Sequence, residues 1–344
     1  MKIGVLVGGG DAPGLNAAVR AVYMQANEYG YEVLGIKGGW AGLLKKDVMP
    51  LNADAVEEIH SKGGIILYTS RTNPFKTSDG PSLVIENMKS LGIDALVVIG
   101  GEDTLGVALK LHELGVPLVA VPKTIDNDLH GTDYSIGFDT AVSIVSEAID
   151  RLHTTAESHH RTIIVEVMGR YTGWIALYGG LAGGANLILI PEVPYSLGEI
   201  CETVQKRASR GKFHSVIVVA EGAKPAETEG FNFKDRDRGV DEFGHIRLGG
   251  IGSILEKLVE TKTGMEARSV VLGHIQRGGS PTAFDRILAT RLAVKAVQLL
   301  KESKFGQMSS LQGNEITSVA LQEALKKRKT VSPELYELAK LFFK

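Results

Sequence analysis

The chain has 344 residues, 44% of them hydrophobic, with 41 glycines and a formal net charge of −2. This length provides for about two domains with sizeable cores, and so balanced a charge gives no reason to expect binding to nucleic acid or attachment to a membrane. The single cysteine, Cys201, excludes an intrachain disulfide and a cysteine metal cluster.

Residues 1–5 enter a strand without a basic, apolar leader, and no apolar run approaches the roughly 20 residues that span a bilayer. A cytoplasmic protein is expected. A strand over residues 2–7 runs into Gly8-Gly9-Gly10-Asp11-Ala12-Pro13-Gly14-Leu15-Asn16 and a helix over about 17–28. Strand, glycine-rich turn and helix N-terminus form a phosphate-binding element, because free N–H groups and the helix dipole face the turn. A dinucleotide-binding dehydrogenase is disfavoured. The glycine spacing is not G-x-G-x-x-G, and the next strand, 32–36, ends in Lys37-Gly38-Gly39 where a ribose-binding acid is required.

Residues 40–43 read as a loop with an exposed Trp40, which serves either in packing or as a ligand platform, and 65–68 as a small strand before Thr69-Ser70-Arg71-Thr72-Asn73-Pro74. Arg71 in that loop suits a phosphate clamp. Helix 81–91, strand 95–99, helix 104–114 and strand 118–121 continue the alternation and predict a parallel, doubly wound sheet. Gly100-Gly101-Glu102-Asp103-Thr104 and Val121-Pro122-Lys123-Thr124-Ile125-Asp126-Asn127-Asp128 stand at the ends of those two strands. Ligands bind there in open α/β sheets, so carboxylates and a lysine gathered at neighbouring strand ends point to a phosphate-transferring site.

A second α/β unit is expected from about residue 139. It comprises a helix over 140–155, a strand over 162–167 ending in Met168-Gly169-Arg170, a small-residue helix through 184, strand 187–190, a helix over 198–209 in which Cys201 packs, and strand 216–220 ending in Glu221-Gly222. Residues 222–250 have the composition of a long surface loop or lid. Helix 251–263 and strand 268–272 lead to Gly273-His274-Ile275-Gln276-Arg277-Gly278-Gly279-Ser280, with final helices near 284–300 and 333–343. The expected fold is two similar doubly wound, Rossmann-like α/β domains with mainly parallel sheets and the active site in the cleft between them. One domain spans 1–138, completed by about 250–305; the other spans 139–249, completed by about 306–344.

The ordered set of motifs beginning Gly9-Gly10-Asp11, Gly100-Gly101-Glu102, Thr124-Ile125-Asp126, Glu166-Val167-Met168 and Gly273-His274-Ile275 resembles the 6-phosphofructokinases from residue 3 to about 300. The shorter glycine loop alone is also similar to NAD and lipid kinases, which lack the other four motifs. The resemblance implies phosphoryl transfer to the 1-hydroxyl of fructose 6-phosphate. Asp126 matches the general base, with Thr124 and Asp128 in the same turn, and Glu102 matches the Mg²⁺ ligand. Gly10 matches the donor-phosphate cradle, and Arg71 and Arg170 match donor and transition-state contacts. Met168, Gly169, Arg170, Glu221, His274 and Arg277 match the sugar-phosphate site. Arg161 and Arg268 match arginines that reach the 6-phosphate from a neighbouring subunit, which implies a homodimer or homotetramer.

The donor is expected to be pyrophosphate. ATP-using members of the family resemble one another in carrying glycine where this chain has Asp103, and many also carry it where this chain has Lys123. An aspartate there intrudes on the α-phosphate of ATP and repels it, while a lysine suits a compact diphosphate. An aspartate capping a helix that starts at Thr104 is the structural alternative for Asp103. At positions matching the family's effector site the chain keeps Arg20 but has Met24, Ala53 and His153, so weak or absent allosteric control is expected. An ATP-dependent enzyme and a non-catalytic sugar-phosphate sensor remain the alternatives.

Overall fold

The computed structural model describes residues 1–226 and 248–343. Most of the expected loop over 222–250 therefore lies outside the described residues. The chain divides into two units, one of residues 1–140 and 277–328, the other of 141–276 and 329–344.

The first unit is built on β1 (Lys2–Val7), β2 (Glu32–Ile36), β3 (Val48–Pro50), β4 (Ala95–Gly100) and β5 (Leu118–Pro122). They are joined by helices α1 (Leu15–Glu28), α2 (Trp40–Lys45), α3 (Ala53–Val56), α4 (Gly80–Leu91) and α5 (Glu102–Glu113). Strands β4 and β5 are buried along their whole length, as continuous apolar runs covered on both faces should be. The chain returns with α10 (Ala283–Lys301), the hairpin β10 (Gln307–Gln312) and β11 (Glu315–Ala320), and α11 (Leu321–Lys326). The strand order is β11-β10-β5-β4-β1-β2-β3; only β3 and β11, at the two edges, run antiparallel to their neighbours.

The second unit holds β6 (Thr162–Val167), β7 (Leu187–Leu189), β8 (Ser215–Ala220) and β9 (Ala267–Val271) in the order β7-β8-β6-β9, all parallel. The helix α6 (Phe138–His159) leads into it, and α7 (Trp174–Ala182), α8 (Leu197–Ser209), α9 (Ile251–Thr263) and α12 (Pro333–Lys340) cover it. Gly179 and Gly183 face Val145 and Ile149 of α6, where a Cβ would sit 2.5 to 2.7 Å from side-chain carbons. Close helix packing therefore explains the small residues of α7.

Several expectations need correction. Trp40 opens a helix, not a loop, and is only 1% exposed; with Leu43 one turn on, it anchors the helix in the core. Residues 65–68 form a turn closed by Tyr68 N–H donating to Ile65 O at 3.1 Å, and Tyr68 has φ 55°, which no strand tolerates. The returns of the chain also differ from those expected. Residues 250–276 stay with the second unit because β9 pairs with β6, and 306–328 join the first because β10 pairs with β5. The hairpin escaped the sequence reading although Gly313-Asn314 at its tip is a turn signal.

Candidate active site

In the first sheet the chain leaves β1 for β2 on one side and β4 on the other. Such a reversal opens a crevice beyond the carboxyl ends of the strands. Three segments lie at these strand ends: 8–16 after β1, 101–104 after β4 and 123–137 after β5. Gly9 has φ 83° and Gly14 φ 100°, conformations that strain any other residue. Gly8 and Gly100 both abut Thr104, where a Cβ would come within 2.6 Å of its side chain.

Lys123 links these loops. It is 3% exposed, and its Nζ donates to the carbonyls of Gly8, at 2.9 Å, and of Gly10. Burial lowers its pKa to about 7, helped by the cations Arg277 and Arg71 and opposed by Asp11 and Asp126. Arg277 donates to Asp11 O at 3.0 Å, and a Cβ on Gly10 would meet its guanidinium at 2.6 Å. Gly10, Asp11, Arg71, Lys123, Asp126 and Arg277 thus form one charged neighbourhood.

The β5 turn is held from within. Asp126 N–H donates to Thr124 Oγ1 at 3.1 Å, and Ser135 Oγ donates to Thr124 O at 2.7 Å. Asn127 takes a left-handed φ of 51°, and its side chain bonds Ser135 N–H and Asp133 O. The turn that carries Asp126 and Asp128 is thereby fixed. Burial raises the Asp128 carboxyl to about 7, reinforced by the charges of Asp126 and Glu102 and opposed by Arg328. Glu102 and Asp103 occupy the first turn of α5, whose N-cap is Gly101. The helix begins earlier than expected, so Asp103 is not its cap.

Among the described residues no three His, Cys, Asp or Glu side chains converge closely enough to chelate a metal by themselves. Mutually repelling carboxylates that offer one or two oxygens still suit a hard cation whose other ligands come from phosphate and water.

The second unit has its own reversal, with β8 and β9 on opposite sides of β6. After β6, Gly169 has φ 143°, and a Cβ there would lie 2.4 Å from Thr172 O. Arg170 also has positive φ, 51°, and its N–H donates to Glu221 Oε1 at 3.1 Å. Gly222 is obligatory, since a Cβ would collide with Arg170 O. Met168 N–H donates to the fully buried Gln276 at 3.3 Å, which joins the β6 turn to the turn carrying His274. His274 is exposed on that turn. Arg161 and Arg268 meet through Glu266, at 2.9 and 2.7 Å, and Arg268 also pairs with Glu260 at 2.9 Å.

Three contributors were missed in the sequence. Gln276 lay inside a motif but was assigned nothing. Asp285, fully buried, accepts from Gly137 N–H at 2.9 Å, Thr140 N–H at 2.8 Å and Thr140 Oγ1 at 2.6 Å. Arg328 pairs with Glu102 at 2.8 Å and Asp128 at 3.7 Å. It sits in the run Lys326-Lys327-Arg328-Lys329, which reads as a solvated basic stretch.

Residues 2–300 match the phosphofructokinase family model. The chain is 54% identical to a pyrophosphate–fructose 6-phosphate 1-phosphotransferase of Amycolatopsis methanolica and 53% identical to one of Streptomyces coelicolor, each over the whole of both chains. An ATP-dependent 6-phosphofructokinase of Streptomyces coelicolor is 48% identical over 98% of each chain. Among solved structures, Pichia pastoris phosphofructokinase superposes with a TM-score of 0.83 at 32% identity, over 99% of this chain and 36% of that longer one.

Proposed function

The chain belongs to the phosphofructokinase family, and from that premise we propose that it moves a phosphoryl group between pyrophosphate and the 1-hydroxyl of fructose 6-phosphate. The products are fructose 1,6-bisphosphate and orthophosphate, and the reaction runs in both directions. The observation that carries the donor choice is Asp103 in the first turn of α5, just past the glycine N-cap. A helix N-terminus attracts phosphate, and a carboxylate placed there repels the additional α-phosphate of ATP while a shorter donor escapes it.

Asp126 is the general base, taking the proton of the 1-hydroxyl as phosphorus arrives. Thr124 pins its backbone. Gly10, Arg71 and Lys123 serve the donor phosphates, Lys123 by fixing the carbonyls of Gly8 and Gly10 and with them the shape of the glycine-rich turn. Glu102 is the carboxylate for the divalent cation, proposed to be Mg²⁺. When bound, that ion offsets negative charge on the donor oxygens. Met168, Gly169, Arg170, Glu221, His274 and Arg277 hold the sugar phosphate, with Arg170 also facing the transferring group, and Asp128 supports Asp126. Arg161 and Arg268 serve the 6-phosphate site of a neighbouring copy in a homodimer or homotetramer. A cytoplasmic location belongs to the same proposal. Among the described residues no helix is long and apolar enough to cross a membrane.

The test is fructose 1,6-bisphosphate formation from fructose 6-phosphate and Mg²⁺ with pyrophosphate or ATP offered in parallel, for the wild type and Asp103→Gly. Pyrophosphate is expected to support turnover, and the substitution should shift the preference toward ATP by about tenfold or more. Turnover with ATP alone overturns the donor choice. Fructose 6-phosphate binding without turnover from either donor would instead identify a sensor.

A further inference from the structure

Arg328 is the last residue of the first unit before the chain leaves for the second. Its Nη2 lies 2.8 Å from Glu102 Oε2 and its Nε 3.7 Å from Asp128 Oδ2. The backbone is registered there too, because Arg328 forms an isolated antiparallel bridge with Leu129, directly after Asp128. The two carboxylates come from the ends of the neighbouring strands β4 and β5, so one guanidinium from a distant segment spans both. A lysine ammonium is a single point charge, whereas the planar fork of arginine can serve two carboxylates at once.

We infer that Arg328 is a built-in counter-cation for the metal-side carboxylates, holding Glu102 until a divalent cation arrives with the donor. The inference rests on Glu102 being a metal ligand, as proposed above. A carboxylate oxygen engaged in a short, charge-assisted bond to arginine cannot offer the same lone pair to a hard cation without loosening that bond. Two cations crowded on one carboxylate also repel. Entry of the metal at that oxygen therefore loosens the hold of Arg328 on Glu102. Glu102 is half exposed and Asp128 nearly buried, so the guanidinium is retained on the Asp128 side. The carboxylates then carry a compensating charge in both states. The exchange ties cation binding to the segment at which the chain passes from one unit to the other.

The experiment is Mn²⁺ binding to the full chain in the presence of methylenediphosphonate, a diphosphate that cannot transfer its phosphoryl group, read from the paramagnetic resonance signal of free Mn²⁺. Arg328→Met removes the competing cation and should tighten Mn²⁺ binding about three- to fivefold, the scale of a partly exposed ion pair. Arg328→Lys should fall between it and the wild type. Glu102→Gln should abolish tight Mn²⁺ binding in either background. Unchanged or weaker binding in Arg328→Met, with loss in Glu102→Gln, overturns the role of Arg328 and leaves Glu102 as the ligand. Binding that survives Glu102→Gln overturns the assignment of Glu102 itself. If Arg328→Met fails to fold by circular dichroism, Arg328→Lys decides alone: tighter binding supports the exchange, and unchanged or weaker binding overturns it.

Discussion

The glycine-rich turn of the first unit and the arginine cluster of the second manage charge in opposite ways. Lys123 is withdrawn from water, held by two glycine carbonyls and shifted to about 7. Arg268, with about half its side chain exposed, sits among Glu256, Glu260 and Glu266 at the edge strand β9. A buried charge must be satisfied geometrically, so its neighbours are rigid, and removing it disrupts them. Exposed ion pairs are screened by water and salt, exchange partners cheaply, and contribute little to stability. The first arrangement is suited to holding a reacting group in place. The second is suited to exchanging partners.

Lys123→Met separates the two styles most sharply. Methionine nearly conserves volume, so the fold should survive, but the carbonyls of Gly8 and Gly10 lose their shared donor. The pyrophosphate kcat/KM should fall by about a hundredfold, the scale of losing a preorganised contact at a phosphate site. A loss below about tenfold would show the buried amine to be ordinary packing. The lysine also has a pH signature. Its pKa in the folded protein is depressed from 10.5 to about 7, so its contribution to stability is present above 10.5 and lost as pH falls through 7. Lys123→Met should therefore be less sensitive than the wild type to acidification across that window, as followed by chemical denaturation.

Asp285 tests the buried style away from the glycine-rich turn. Asp285→Ala leaves three donors at the start of α6 without their acceptor and should cost about 3 kcal/mol in denaturant unfolding. Burial raises this carboxyl from 3.8 to about 6. A raised carboxyl binds its proton more tightly in the native state, so its contribution is full below 3.8 and is lost as pH rises through 6. The stability of the wild type relative to Asp285→Asn should accordingly decline between those values, by roughly 3 kcal/mol. A gap that stays flat with pH would mean that Asp285 is ionised throughout.

What could be read in the sequence follows the same division. Buried parallel strands are continuous apolar runs, so β4, β5, β6 and β8 were placed to within a residue or so, and the polar residues at their ends follow from the strand order. The hairpin of β10 and β11 carries serines and a threonine in place of an apolar run, and its partner β5 lies almost 190 residues earlier. Trp40 was misplaced because glycine on both sides suggests a loop, whereas its burial depends on tertiary packing. Asp285 and Arg328 act on residues 145 and 226 positions away; no local pattern distinguishes them from a helix-start aspartate or a surface cation.

The smallest expected effect concerns Glu266, the carboxylate shared by Arg161 and Arg268. Its hydrogen bond from Arg161 holds the carboxyl below the usual range. If both arginines serve a neighbouring copy's 6-phosphate, Glu266 competes with the substrate for them. Glu266→Gln keeps the shape and removes the charge. The KM for fructose 6-phosphate should then fall about two- to threefold at low ionic strength, the range of an exposed ion pair, and the difference should vanish in about 0.5 M salt. The thermal midpoint should move by no more than about 2 °C. A rise in KM that persists in salt would reverse the argument: Glu266 would then orient the arginines, and the second unit would hold its charges as firmly as the first.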